Sequence, residues 1–167
     1  MTRLTADDFN RLYRKHARRA QGFFLRMTGD SMLAEDLTQE LFTRLWEHRS
    51  RFDARQGEFT TWMFSVAYNL CKNEYRHRSV AGMWDAAPTA TEYAQDASAA
   101  LEREEKKKLL AEAVQHLPDG VREVFLLRYE EELSISDVAQ ILRIPEGTVK
   151  SRAYTALKTL HQQMKQY

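Results

Sequence analysis

At 167 residues and 43% hydrophobic composition, the chain can bury one medium core or two small ones, which excludes wholesale disorder. A net charge of +1 does not select a partner, and the single cysteine, Cys71, excludes an internal disulfide; it fits a reducing compartment and equally a small core position. Three prolines, six glycines and apolar residues recurring at three and four exclude an extensive sheet and predict an all-α protein.

Thr5 with Asp8 predicts a capping box opening a first helix that reaches about Met27, with Phe9, Leu12, Tyr13, His16, Ala20 and Phe23 or Phe24 inward and Gly29-Asp30 ending it. Ser31 is the expected cap of a second helix, in which Leu33, Ala34, Leu37, Leu41, Phe42, Leu45 and Trp46 mark a buried side. Glu35, Asp36, Gln39, Glu40 and Arg44 lie outside. Acidic groups near a helix start are worth roughly 0.3–1 kcal/mol each through the dipole, which accounts for Glu35 and Asp36 without any partner.

After a loop, SRFDARQGEF, a third helix is expected over 60–78, with Phe59, Trp62, Met63, Val66, Ala67, Leu70, Cys71 and Tyr75 around one broad side. Ser65, Asn69, Lys72, Asn73 and Arg76 follow another. Ser and Asn are mediocre helix formers, so a stripe of them backed by cations reads as a recognition face. The plainer account is that Arg76, His77 and Arg78 complement the carboxyl end of the helix dipole.

Residues 80–100, VAGMWDAAPTATEYAQDASAA, hold no basic residue and show no sustained helical stripe, so they read as a flexible linker between domains at 1–79 and 101–167. Trp84 and Tyr93 within it either dock on something or have no task. Residues 1–80 carry 14 Lys/Arg against 10 Asp/Glu, and residues 143–167 carry five cations against Glu146 alone, so basic surfaces flank an acidic connector.

In the second domain Ser134 and Asp137 predict a capping box for a short helix over 135–142, with Ile135, Val138, Ala139 and Leu142 inward. Arg143-Ile144 makes a turn, Pro145 presets a helix start, and Val149, Ala153, Leu157 and Leu160 carry a second helix from about 146 to 165. Glu146, Thr148, Lys150, Ser151, Arg152 and Tyr154 line its other face, groups suited to phosphates and base edges. The pair is a helix-turn-helix with a DNA-reading second helix.

GDSMLAEDLTQELFTRLWEHRSRFD, then FTTWMFSVAYNLCKNEYRHR, then LPDGVREVFLLRYEEELSISDVAQILRIPEGTVKSRAYTALKTL together resemble the bacterial extracytoplasmic-function sigma factors of the sigma-70 family, over nearly the whole chain. The resemblance implies two small helical domains, a region 2-like one that melts promoters and a region 4-like one that reads the −35 element. It implies docking of Asp36, Gln39, Glu40 and Arg44 on the β′ clamp helices of core RNA polymerase, and of the second domain on the β flap. It further implies capture of melted −10 bases by Phe52 and Asn69, with Ser65, Lys72, Asn73 and Arg76 holding the adjacent DNA, and −35 contacts from Glu146, Thr148, Lys150, Ser151, Arg152 and Tyr154. An anti-sigma factor is the further partner it implies. Asn73 and Thr155 stand where family members often carry Asp and Arg, so base preference is not carried over.

The five histidines show no ligand spacing with Cys71, and no Gly-rich phosphate loop or nucleophile motif is present, so no metal, cofactor or catalysis is expected. Charges at the N-terminus replace the apolar segment a signal peptide needs, and no apolar run is long enough for a membrane span; a cytoplasmic location without membrane insertion is expected. The alternatives are a helix-turn-helix regulator binding duplex DNA without polymerase, and a protein-binding helical adaptor.

Overall fold

A computed structural model describes residues 4–81 and 99–167, and the chain divides into two compact units between Thr89 and Ala90. All regular structure among the described residues is helical, as composition predicts. Most of the expected linker, with Trp84 and Tyr93, lies outside the described residues.

The first unit holds α1 (Ala6–Thr28), α2 (Ser31–Glu47), a 3₁₀ turn (Arg49–Arg51) and α3 (Phe59–Ala81). The Thr5 hydroxyl oxygen accepts from the Asp8 N–H at 3.2 Å and the Asp8 carboxylate accepts from the Thr5 N–H at 3.2 Å, the predicted capping box. These Thr5 hydrogen bonds hold the Asp8 carboxyl below its usual range. Gly29 ends α1 in the left-handed region at φ 68°, where a side chain would be strained. The expected cap of α2 shifts by one residue. Asp30, not Ser31, stands at the N-cap, its Oδ1 accepting from the Leu33 N–H at 3.1 Å, which leaves Glu35 and Asp36 beyond the first turn.

Packing between the helices is aromatic. Phe9 meets Phe42 and Trp46 edge-on, Tyr13 meets Phe42 at 4.8 Å, and Phe23 meets Phe64 at 5.2 Å. Phe64 is wholly buried, although the predicted stripe of the third helix omits it. A broad apolar face on α3 must contact both α1 and α2, so the inward arc is wider than a single stripe. Tyr13 and Trp46, expected inside, lie at the rim with 36% exposure each. Cys71 is fully buried.

His16 is buried beside Phe59, the ring centroids 5.4 Å apart. Burial, followed by the charges of Lys15 and Arg19, lowers its pKa from the ordinary 6.5.

The second unit holds α4 (Ala99–Gln115), α5 (Asp119–Phe125), a π turn (Leu126–Glu130), α6 (Ile135–Leu142) and α7 (Glu146–Met164). Helix α7 packs against α4, α5 and α6, and Val124, Leu126, Val138, Val149 and Ala156 are fully buried around it. The inward face of α7 departs from expectation at one place: Leu157 is 45% exposed while Ala156 is buried, because Val149, Ala153, Ala156 and Leu160, spaced four, three and four, define the face turned to the core. Ile141 joins the expected core of α6. Ser134 caps α6 by accepting from the Asp137 N–H at 3.0 Å, one half of the box expected there. Arg143 closes α6 in the left-handed region at φ 56°, a conformation that glycine adopts without strain.

Two stability outcomes follow. Arg143→Gly is expected to stabilise the chain by about 1 kcal/mol, read from the urea midpoint, because the left-handed turn then carries no Cβ. The lowered pKa of His16 means the unfolded chain binds its proton more readily, so its contribution to stability is complete above pH 6.5 and is lost as pH falls through the folded-state value. His16→Leu should flatten that acid limb when urea midpoints are compared from about pH 7 down to about pH 5.

Candidate functional site

In α2, burial of Leu37, Leu41 and Leu45 turns Asp36, Gln39, Glu40 and Arg44 outward, and all four are exposed. Arg44 and Glu40 form an i,i+4 ion pair at 2.6 Å, about half exposed at both ends; such a pair contributes about 0.3–0.5 kcal/mol and leaves both groups able to exchange partners.

Phe52 follows the 3₁₀ turn and is half-buried. Its ring stacks on Trp62 at 5.4 Å with 23° between planes and meets Phe59 edge-on at 5.7 Å. Trp62 therefore forms one surface with Phe52, a pairing that sequence spacing does not reveal because the two residues belong to different elements. Beside them, Arg49 lies over the Trp46 ring at 3.8 Å and donates to the Trp46 carbonyl. Along α3, Asn69, Lys72, Asn73 and Arg76 are exposed and Ser65 is half-buried, so the expected polar stripe forms as one ridge on the side away from Met63, Ala67 and Leu70.

Arg78 behaves differently from Arg76. Its Nη2 donates to Asp30 Oδ2 at 3.3 Å and its Nε to Glu74 Oε1 at 3.2 Å, tying the last turns of α3 to the cap of α2. The Tyr75 hydroxyl donates to the Met27 carbonyl at the same corner. The Asp30 carboxyl is held below its usual range, first by the Leu33 N–H; burial opposes this, and the hydrogen bond and charge of Arg78 add to the lowering.

In α7, Glu146, Lys150, Ser151 and Tyr154 are exposed, Tyr154 by 68%, and Thr148 is half-buried. Arg152 is drawn aside: its guanidinium lies against Gly120, so close that a Cβ there would stand 2.9 Å from Nη1. The sequence places Arg152 on the reading face by helical phase; the structure shows that its long side chain also reaches α5, where glycine leaves room for it.

Two family models match this arrangement, Sigma-70 region 2 over residues 12–80 and Sigma-70 region 4 over residues 107–160. The chain is 35% identical over 153 residues to the ECF RNA polymerase sigma factor SigL of Mycobacterium tuberculosis, covering 89% of this chain and 84% of SigL. This chain is an extracytoplasmic-function sigma factor. It is also 33% identical over 153 residues to SigW of Bacillus subtilis, covering 84% of this chain and 80% of SigW. Its fold is similar to that of the sigma factor RpoE solved with the anti-sigma factor NepR from Bartonella quintana, at a TM-score of 0.81 and 22% identity, covering 96% and 98% of the two chains. As a sigma factor it serves promoter-specific initiation with RNA polymerase, and the family is not an enzyme class. Among the described residues no helix is long and apolar enough to cross a membrane, and no group of His, Cys, Asp and Glu could hold a metal.

The corner at Asp30 is testable in this sigma factor. Asp30→Asn should retain the cap and cost only a few tenths of a kcal/mol, whereas Asp30→Ala should lose cap and ion pair together and cost about 1–2 kcal/mol in urea unfolding.

Proposed function

We propose that this sigma factor binds core RNA polymerase through the outward face of α2, captures melted −10 bases with the first unit, and reads the −35 duplex with α7. The observation that carries this division of labour is the pairing of an exposed Ser/Asn/Lys/Arg ridge on α3 with a helix-turn-helix whose second helix exposes Lys150, Ser151 and Tyr154. Asp36, Gln39, Glu40 and Arg44 take the β′ clamp helices, and the second unit takes the β flap. A flipped base loses a few kcal/mol of stacking, and the Phe52–Trp62 pair supplies an aromatic surface to recover it while Asn69 offers a carboxamide to its edge. Lys72, Asn73 and Arg76, with Ser65, hold the adjoining strand. On α7, Glu146, Thr148, Lys150, Ser151, Arg152 and Tyr154 form the −35 surface, with Arg152 swinging from Gly120 to reach it.

The chain contributes positioning and strand capture, and the polymerase carries the chemistry. It acts in the cytoplasm, and an anti-sigma protein restrains it; the sigma factor RpoE, similar in fold, was solved in complex with the anti-sigma factor NepR. A duplex-only regulator would leave the α3 ridge without a task, and the region 2 match favours the polymerase-dependent reading.

Asn69→Ala should lower open-complex formation by about 5- to 30-fold, the equivalent of roughly 1–2 kcal/mol, in permanganate footprinting with saturating core polymerase, while polymerase affinity stays unchanged. Lys150→Ala should weaken −35 duplex binding and reduce the slope of log K against log salt by about 1. Unchanged transcription in both variants would overturn the assignments.

A further inference from the structure

The net charge of the first unit is concentrated on one helix. Helix α1 carries Arg11, Arg14, Lys15, Arg18, Arg19 and Arg26 against only Asp7 and Asp8, both in its first turn, so it holds +4; α2 holds −3. None of the residues assigned above to polymerase or DNA lies on α1.

Arg11 is paired with Asp8 at 2.8 Å, and Arg19 lies over the Phe64 ring at 5.3 Å. Arg14, Lys15 and Arg18 are exposed and make no side-chain hydrogen bond or ion pair to the described residues. Their neighbours at i±3 and i±4 include one another, Arg11 and Arg19, a like-charge spacing that destabilises an isolated helix. A face needed only for solubility would intersperse the two signs. Lys15 and Arg19 add to burial, the larger cause, in disfavouring a proton on His16.

Helix α1 packs beside α3, and Arg14, Lys15 and Arg18 face away from the buried side that carries His16, Ala20, Phe23 and Met27. His16 touches Phe59, Phe23 touches Phe64, and the Met27 carbonyl receives Tyr75, so α1 and α3 run side by side in one direction. Successive contacts of α1 thus follow successive turns of α3. Arg19, over Phe64, stands where the flank of α1 meets the turn that carries Ser65.

We infer that Arg14, Lys15 and Arg18 form a second nucleic-acid contact, a phosphate-binding rail on α1 for the promoter strand beside the bases that α3 captures. A polyanion whose charges repeat along its backbone matches cations repeating along a helix, and each neutralised phosphate releases counterions. The rail carries no base information, because cations on phosphates read charge and not base edges. The acidic face of another protein is the competing occupant; the repeat of one sign along the helix, in a chain of the Sigma-70 region 2 family, favours DNA.

This inference rests on the proposed promoter-melting role, and the test separates the two. The triple variant Arg14→Ala, Lys15→Ala, Arg18→Ala keeps strong helix formers throughout and touches no core position. With full-length protein and core polymerase, the salt slope of open-complex formation should fall by about 2–3, and complexes at moderate salt should weaken at least tenfold. Polymerase affinity and −35 duplex binding should not change. Arg14→Lys with Arg18→Lys should retain wild-type behaviour, since a point charge suffices for a phosphate. An unaltered salt slope in the triple variant, with a wild-type protein that opens the promoter, overturns the rail. Loss of binding to polymerase or to an acidic protein instead of DNA also overturns it, whereas a wild type that opens no promoter overturns the underlying reading.

Discussion

The outward faces of α2, α3 and α7 are held in register by what each helix buries on its other side. Leu37, Leu41 and Leu45 on α2, Met63, Ala67 and Leu70 on α3, and Val149, Ala153 and Ala156 on α7 sit in their cores with almost no exposed surface. Rotating α2 by one residue would bring Asp36, Glu40 and Arg44 into the core, and rotating α7 would bring in Lys150, at a cost of several kcal/mol for each unpaired charge. The polar stripes need no fixing contacts of their own. Exposed and mostly unpaired, they keep the freedom to meet a partner, and the core alone sets where they point.

A second constraint joins two of these helices at the α1–α2 corner. Asp30 caps α2 with one carboxylate oxygen and receives Arg78 from α3 with the other, while Tyr75 anchors the same end of α3 to Met27. The helix proposed to meet polymerase and the helix proposed to hold melted DNA therefore share a residue at their junction. Each bond is partly exposed and modest alone. Their value lies in geometry, since they converge where α1 must reverse direction through the left-handed Gly29.

Charge segregation follows the same division. The basic face belongs to α1 and the acidic one to α2, so one small unit presents opposite signs to different surroundings. Sigma factors have to bind a protein machine and a nucleic acid at once, and separating the two signs keeps one partner from competing for the surface of the other.

Much of this was legible in the amino-acid order. Periodicity gave the helices, the composition of residues 80–100 separated two helical units, Thr5, Gly29 and Ser134 marked helix ends, and helical phase sorted Asn69, Lys72, Asn73 and Arg76 from the core. These are local signals, acting over one or two turns of backbone. What the sequence could not decide depended on residues distant along the chain: the stacking of Phe52 on Trp62, the burial of Phe64 between helices, the withdrawal of Arg152 onto Gly120, and the capture of Asp30 by Arg78. Long side chains reach across whatever neighbour the fold supplies, and aromatic rings fill whatever gap it leaves. Helical phase therefore determines the side from which a residue starts, and only tertiary packing determines where its functional atoms come to rest.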